Sequence, residues 1–412
     1  MKSIISITPL AIERDSRTYK IAASFTRFGY RSIVVEGIPS NLDKTSLPFE
    51  LISLGETDTK MDKNVIILNK KSPSKKAIKK IVYFIVGVIK RVTPAKFFQS
   101  CVFNIYVCQN IYSTYTITKK TLFKADLYYL HSPLQFIPVY RAAEQYKIPI
   151  IYDAHDFYCL WSPFINNLIE RWCIWTARDL ITVSDGVASL IQKKYGRKPQ
   201  VIKNNHDLRL DKQLVPSIKE YMGLKKSDFL LVNVGQFRTE GQPMEPVLIA
   251  MKQLPNNVHL AFLGENTKKY NDLIKSFELE TRVHTLESVN PDNIVPFINS
   301  ADVSIILLTN ENKNLLNCLP NKFFQSISAK LIILYPELPE IQKIAERYQL
   351  GLPIDATSSQ SIYNAIASII SNSSLRKKFY DNLDYASLEL NWQNEEVKLK
   401  EIIDAALNKK IK

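Results

Sequence analysis

Four segments hold the polar side chains best placed for chemistry, because each follows an apolar run that reads as a strand. They are Ile12-Glu13-Arg14-Asp15-Ser16-Arg17, Tyr152-Asp153-Ala154-His155-Asp156-Phe157-Tyr158, Asn233-Val234-Gly235-Gln236-Phe237-Arg238 and Leu319-Pro320-Asn321-Lys322-Phe323-Phe324-Gln325. In open α/β sheets, ligands bind beyond the carboxyl ends of the strands. His155 there can donate to a hydroxyl or to a developing negative charge, and Asp156 can bond a substrate or hold the imidazole. The structural alternatives are a histidine bonded to backbone and an aspartate that caps the following helix. Arg14, Asp15 and Arg17 after the first strand, and His131 after the strand at Leu127 to Leu130, either line the same region or are ordinary charges. Pro320 suits a first helical turn, so Asn321, Lys322 and Gln325 sit where helix N–H groups and a cation can receive an anion. The plain alternative is an amphipathic helix that buries Phe323, Phe324 and Ile327 beneath a polar tip.

The elements that must position these residues alternate from end to end. Strands read at Ser3 to Thr8, Ser32 to Val35, Val65 to Leu68, Leu127 to Leu130, Ile148 to Tyr152, Leu180 to Val183, Val201-Ile202, Phe229 to Val234, His259 to Leu263, Val283 to Leu286, Val303 to Leu308 and Leu331 to Leu334. Helical patterns lie between them, among them Arg17 to Phe28, stopped by Gly29, then Pro246 to Leu254, 267 to 279, Pro291 to Ser300, 339 to 349 and two closing stretches. Short apolar runs alternating with helices are the mark of parallel sheets wrapped by helices. The fold class is therefore α/β, in two domains. The boundaries read as 1–206 for an N-terminal domain with a basic helical insertion at about 73–125, and 207–385 for a C-terminal domain. A final helix, 386–412, is expected to pack back towards the N-terminal domain.

Composition excludes several classes. With 46% hydrophobic and 23% charged residues, the 412-residue chain is neither disordered nor collagen-like, and it is long enough for two domains. Eleven glycines leave no G-x-G-x-x-G and no P-loop. Five cysteines (Cys101, Cys108, Cys159, Cys173 and Cys318) form no C-x-x-C pair, which fits a reduced cytoplasmic compartment. The start, Met1-Lys2-Ser3-Ile4-Ile5, is not a secretory signal.

Taken in order, the four segments resemble the GT-B glycosyltransferases of family 4, retaining enzymes that use nucleotide sugars. The same order holds "VSDGVASL" at 183 to 190, "VIKNN" at 201 to 205, "LVNVG" at 231 to 235, "ADVSIILL" at 301 to 308 and "LNWQNEE" at 390 to 396, so the likeness covers nearly the whole chain. It implies two Rossmann-like domains facing a central cleft, 1–206 on the acceptor side and 207–385 binding the nucleotide sugar. It also implies that His155 touches the transferred sugar, with Asp156 where many relatives carry Glu. Gly235, Gln236, Arg238, Pro320, Asn321, Lys322 and Gln325 would hold the donor, and Arg14, Asp15, Arg17 and His131 would line the acceptor side or the cleft. The chain departs from the family where charge matters most. Gln236 and Glu240 occupy the places of two basic residues that face the diphosphate, leaving Arg238 as the cation of that loop. Losing one such contact costs on the order of 100-fold in rate. Asn317 and Gln325 replace two Glu, Lys330 a Gly and Ile332 a Pro. Gln325 keeps one acceptor for ribose and adds a donor.

No cofactor is implied beyond the nucleotide-diphosphate sugar as co-substrate, and with no D-x-D in the sequence no metal is expected. The net charge of +14 is uneven: residues 60 to 96 hold eleven Lys or Arg against Asp62, giving 11 − 1 = +10. No aromatic interleaving or reading module accompanies them, which argues against nucleic acid. Within 75–98 the charges bracket the apolar run Ile81 to Ile89. That run is either an interfacial segment on an anionic membrane or a core helix with solvated ends. The partners expected are thus a nucleotide sugar, a glycan or lipid-linked acceptor and an anionic membrane surface, and the enzyme is placed in the cytoplasm, peripheral at the inner face of the membrane. The competing reading is a catalytically silent GT-B subunit that binds sugar or a partner glycosyltransferase.

Overall fold

A computed structural model describes residues 1–53, 122–158, 165–212, 215–237, 242–310 and 314–408. The expected strand at Val65 to Leu68, most of the insertion at about 73–125, the basic run 75–98, Arg238 and Glu240 lie outside these residues. The chain divides into two compact units. The first comprises Met1–Ile181, Tyr195–Pro199 and Ile402–Lys412, and the second Thr182–Lys194 and Gln200–Glu401. This differs from a single cut at residue 206, because the chain passes between the units more than once.

In the first unit the strands are β1 (Ser3–Thr8), β2 (Arg31–Glu36), β3 (Glu50–Ser53), β4 (Leu127–Leu130), β5 (Ile150–Ala154) and β6 (Asp179–Thr182), side by side in the order β3-β2-β1-β4-β5-β6. β3 has no counterpart in the expected set: Leu51 and Ile52 make a run too short to stand out by periodicity. The β1, β2, β4 and β5 neighbours pair in parallel. Ile4, Ile5 and Ile7 of β1 and Ile33, Val34 and Val35 of β2 are wholly buried, as expected of strands covered on both faces. Helix α1 (Ser16–Arg27) begins where Asp15 accepts from the Thr18 backbone N–H, and it buries Ile21, Ala22 and Phe25. Gly29 follows its end at φ +84°, a left-handed cap that favours glycine. α2 (Phe136–Tyr146) and α3 (Ile165–Thr176) complete the part of this unit that carries the site.

The second unit takes in α4 (Asp185–Tyr195) up to Lys194 and the short β7 (Gln200–Val201). Its six-stranded sheet runs β10-β9-β8-β11-β12-β13, built from β8 (Phe229–Val234), β9 (Val258–Leu263), β10 (Val283–Leu286), β11 (Val303–Ile305), β12 (Ile332–Pro336) and β13 (Gly351–Ile354). All its pairings are parallel. Its helices include α5 (Glu245–Gln253), α6 (Asn321–Ser328), α7 (Pro339–Tyr348), α8 (Ser359–Ser371), α9 (Ser373–Glu389) and α10 (Trp392–Asn408), of which the last continues into the first unit at Ile402.

Three expectations change here. The helix at 267 to 279 is a 3-10 turn, Thr267–Tyr270, running into a short helix, Asn271–Ser276. β11 stops at Ile305, although the apolar run continues to Leu308: Ile306 still donates its N–H to the Leu334 carbonyl at 2.9 Å, and Leu307 and Leu308 are buried beyond it. The closing stretch holds three helices, with β13 before them.

Candidate functional site

The first constellation is set by register. In the parallel ladder Ile7 faces Leu130 and Leu130 faces Tyr152, so the next residues along the three strands, Thr8, His131 and Asp153, lie in a row. The chain turns one way from β1 to β2 and the other way from β4 to β5, which makes the β1/β4 edge the switch point where open sheets bind ligands. Asp15 and Arg17 arrive there at the start of α1, and His155 follows β5.

Arg17 grips Asp153 with both prongs, Nε to Oδ2 at 2.8 Å and Nη2 to Oδ1 at 2.9 Å, while the Tyr129 hydroxyl donates to Oδ2 at 3.0 Å. All three side chains are buried. Burial alone would raise the Asp153 pKa, but the Arg17 charge, the His155 imidazole and the Arg17 hydrogen bonds bring it down to about 2. His131 Nδ1 and His155 Nε2 are 3.0 Å apart, with ring centroids separated by 5.1 Å. Burial, together with His155 beside it, lowers the His131 pKa to about 3. Asp15 accepts from the Thr8 and Thr18 hydroxyls at 2.7 and 2.6 Å; although burial opposes it, His155, His131 and Thr18 hold its carboxyl below the usual range. Burial raises the pKa of Asp156. Arg14 is exposed and stands outside this cluster.

His131, Asp153 and His155 offer ligand atoms within 4.8 Å of one another, the arrangement of a small metal site. The donor set fits a cation poorly. Both Asp153 oxygens are taken by a guanidinium, so a dication would sit within the field of Arg17 and would have to displace it.

The second constellation lies in the second unit, where β8 and β11 diverge. Gly235 ends β8 at φ +134°, and a Cβ there would meet Lys322 Cε at 3.2 Å and Nζ at 3.3 Å. Gly264 ends β9 at φ +146°, where a Cβ would meet the Gly235 carbonyl oxygen at 1.8 Å. Two adjacent strands therefore end on glycines because backbone and a lysine side chain press close. Pro320 is not inside the helix but is the N-cap of α6, with extended φ −69° and ψ 147°. Phe323, Phe324 and Ile327 bury the other face of α6, and the Ser326 hydroxyl donates to Ser304 Oγ at 2.6 Å, which anchors the helix on β11.

Lys322 rises from the first turn of α6 to within 3.4 Å of Asn233 Oδ1. Burial lowers its pKa to about 8, and no carboxylate within hydrogen-bond reach compensates it among the described residues. Gln236 is exposed and donates to Glu265 Oε2 at 3.0 Å, so the side chain standing in a cation's place is tied to an acid. Asn321 Oδ1 accepts from Asn204, and Gln325 is half-buried one turn beyond Asn321. Lys330 adopts φ +58°, the left-handed backbone that the glycine it replaces would take without strain.

Residues 216–384 match the family model of glycosyl transferases group 1. This stretch lies within the second unit and is similar to glycosyl transferases group 1. The second constellation lies wholly inside it except for Asn204, and the first lies outside it. No curated protein matches the sequence. Among solved structures, sucrose-phosphate synthase from Thermosynechococcus elongatus aligns over 98% of this chain and 99% of its own at TM-score 0.67 and 11% identity. Anabaena HepE in complex with UDP aligns over 98% and 100% at 0.66 and 14%. WaaG, a glycosyltransferase involved in lipopolysaccharide biosynthesis, aligns over 97% and 99% at 0.58 and 15%. Identities this low establish the fold, which is GT-B, two parallel-sheet α/β domains, with the stretch that matches the family model in the second.

Four side chains that the structure brings in are given no role by the sequence: Asp153 and Asn233, which lie in the quoted segments, and Tyr129 and Lys269, whose Nζ donates to the Phe237 carbonyl at 2.7 Å. Asp153 and Asn233 did carry a signal, a polar residue inside an otherwise apolar strand, since a buried polar group needs a partner. Tyr129 and Lys269 carried none.

Proposed function

We propose that this chain transfers a sugar from a nucleotide-diphosphate sugar to a glycan or lipid-linked acceptor, with retention of configuration, in the synthesis of a surface polysaccharide or glycoconjugate. The observation that carries the reading is Lys322: a partly buried amine with no carboxylate in hydrogen-bond reach among the described residues, held over Gly235 at the start of α6 in the stretch that matches the group 1 model. A diphosphate beside it would accept charge-assisted bonds and the helix dipole. Neighbours of the same fold support the donor class, since HepE structures contain UDP or UDP-glucose. His155 and Asp156 would face the sugar, with Gly235, Gln236, Asn321 and Gln325 around the donor. We propose a metal-independent reaction, because Asp153 is already committed to Arg17 and no other group of three ligands exists among the described residues.

The test is a thermal-shift series with UDP, GDP and CDP, alone and as their sugars, with and without EDTA. One nucleotide should raise Tm, by linkage, with EDTA making no difference. No shift with any of them, or a shift only with added Mg²⁺ or Mn²⁺, contradicts the proposal.

A second reading, a silent GT-B subunit, is favoured by the Gln236–Glu265 contact, which puts an acid next to the diphosphate place. Binding without turnover would select it.

We further place the enzyme in the cytoplasm at the inner face of a membrane. No helix among the described residues is long and apolar enough to cross one. Support comes from α3, where Leu168 (59% exposed), Trp172 (44%) and Trp175 (59%) form one stripe with Arg171, and indoles favour the headgroup region. Co-sedimentation with phosphatidylglycerol vesicles at low salt is expected and should weaken as salt rises; protein that stays in the supernatant contradicts it.

A further inference from the structure

The 3.0 Å contact between His131 and His155 holds one hydrogen, and the surroundings decide which ring supplies it. His131 is 1% exposed, and its Nε2 has no hydrogen-bond partner among the described residues. If His155 donated through Nε2–H, the single proton of neutral His131 would be forced onto that Nε2 and become a buried N–H with nothing to donate to. If His131 donates through Nδ1–H, its Nε2 keeps only a lone pair. Orphaned buried N–H groups are rarer in proteins than under-used acceptors. The nearby Asp153 does not reverse the choice, because its Oδ2 lies 3.9 Å from His131 Nδ1 and 3.8 Å from His155 Nε2, beyond hydrogen-bond reach of both and equally far.

We propose that His131 is a positioning residue that locks neutral His155 with its proton on Nδ1. His155 is then an acceptor towards His131 through Nε2 and a donor through Nδ1, on a side chain that is 22% exposed. Resting on the proposed function, this assigns His155 a chemical role: it offers Nδ1–H to an oxygen of the sugar or of the departing phosphate, and Nδ1 has no lone pair with which to take the proton of an acceptor hydroxyl. Asp153, held by Arg17 and Tyr129, supports the pair from beneath without titrating near neutral pH.

The measurement is long-range ¹H–¹⁵N correlation on ¹⁵N-histidine-labelled protein above pH 7. The chain has five histidines, so single substitutions assign the signals. In the parent protein, His155 Nδ1 should resonate as protonated and Nε2 as bare. His131→Asn, whose amide can place an N–H where Nδ1 stood, should keep that pattern, and His131→Phe should lose it. If active, His131→Phe should lower kcat about 10-fold or more with little change in KM, and His131→Asn should recover most of the loss. A parent His155 protonated on Nε2, or a tautomer unchanged in His131→Phe, overturns the proposal. The spectra need no substrate. A locked tautomer in a protein that binds no nucleotide would therefore sink the proposed function alone, and transfer activity with the other tautomer would sink this inference alone.

Discussion

The two strand-end constellations are built on opposite electrostatic plans. In the first unit the buried charges of Arg17, Asp153 and Asp15 are partnered: Arg17 spans Asp153, Tyr129 adds a third donor and Asp15 is saturated by Thr8 and Thr18. In the second, Lys322 stands over the strand-end Gly235 with the Asn233 amide oxygen 3.4 Å away and, among the described residues, no carboxylate within hydrogen-bond reach, and burial lowers its pKa. A network that satisfies itself fixes geometry, whereas a cation left short of an anion keeps binding energy for a ligand. The comparison teaches a division of labour: the first site orients, and the second receives charge.

The largest effect should come from breaking the satisfied network. Arg17→Ala leaves a buried carboxylate unpaired, and urea unfolding should show a loss of about 3–5 kcal/mol. A loss below about 1 kcal/mol would mean that Asp153 is not neutralised by Arg17. Acid should act on the same unit. His131 has a folded pKa near 3 against 6.5 unfolded, so between these values the unfolded chain binds the extra proton and stability falls as pH falls. From pH 7 to pH 5 the loss from this group is about 2 kcal/mol, with Asp153 adding to it below pH 3.8, where its carboxyl protonates only in the unfolded chain. Equilibrium unfolding across this range, compared with His131→Asn, checks the sign: the variant should be distinctly less acid-sensitive.

Much of the fold was legible because apolar runs of strand length alternate with helical patterns: the limits of β1, β4, β8 and β10 fall where the sequence puts them. β3 and β13 escaped because short strands beside glycine, proline and acids carry little periodic signal. Of the sites, single residues after strands could be read, but the ties among them could not. Register places His131 beside Asp153, and a one-residue slip would have parted them. That Arg17 closes on Asp153, across 136 positions of sequence, rests on tertiary packing that no local pattern encodes. Lys322 was legible as a cation at a helix start; its lowered pKa was not, since that depends on how closely β8 and α6 approach.

The central claim is that the second site is charged by its ligand. At pH 8.5 an amine of pKa about 8 is mostly neutral, and a bound diphosphate, itself fully ionised there, should return it to the ammonium form. Calorimetric titration with the nucleoside diphosphate that shifts Tm, repeated in buffers of different ionisation enthalpy, measures this directly. The account predicts uptake of about three-quarters of a proton per site at pH 8.5. In Lys322→Gln the uptake should vanish and the affinity should fall roughly 10- to 100-fold, the range of a charge-assisted hydrogen bond. Binding without proton uptake in the parent protein, or equal uptake and affinity in Lys322→Gln, would contradict it.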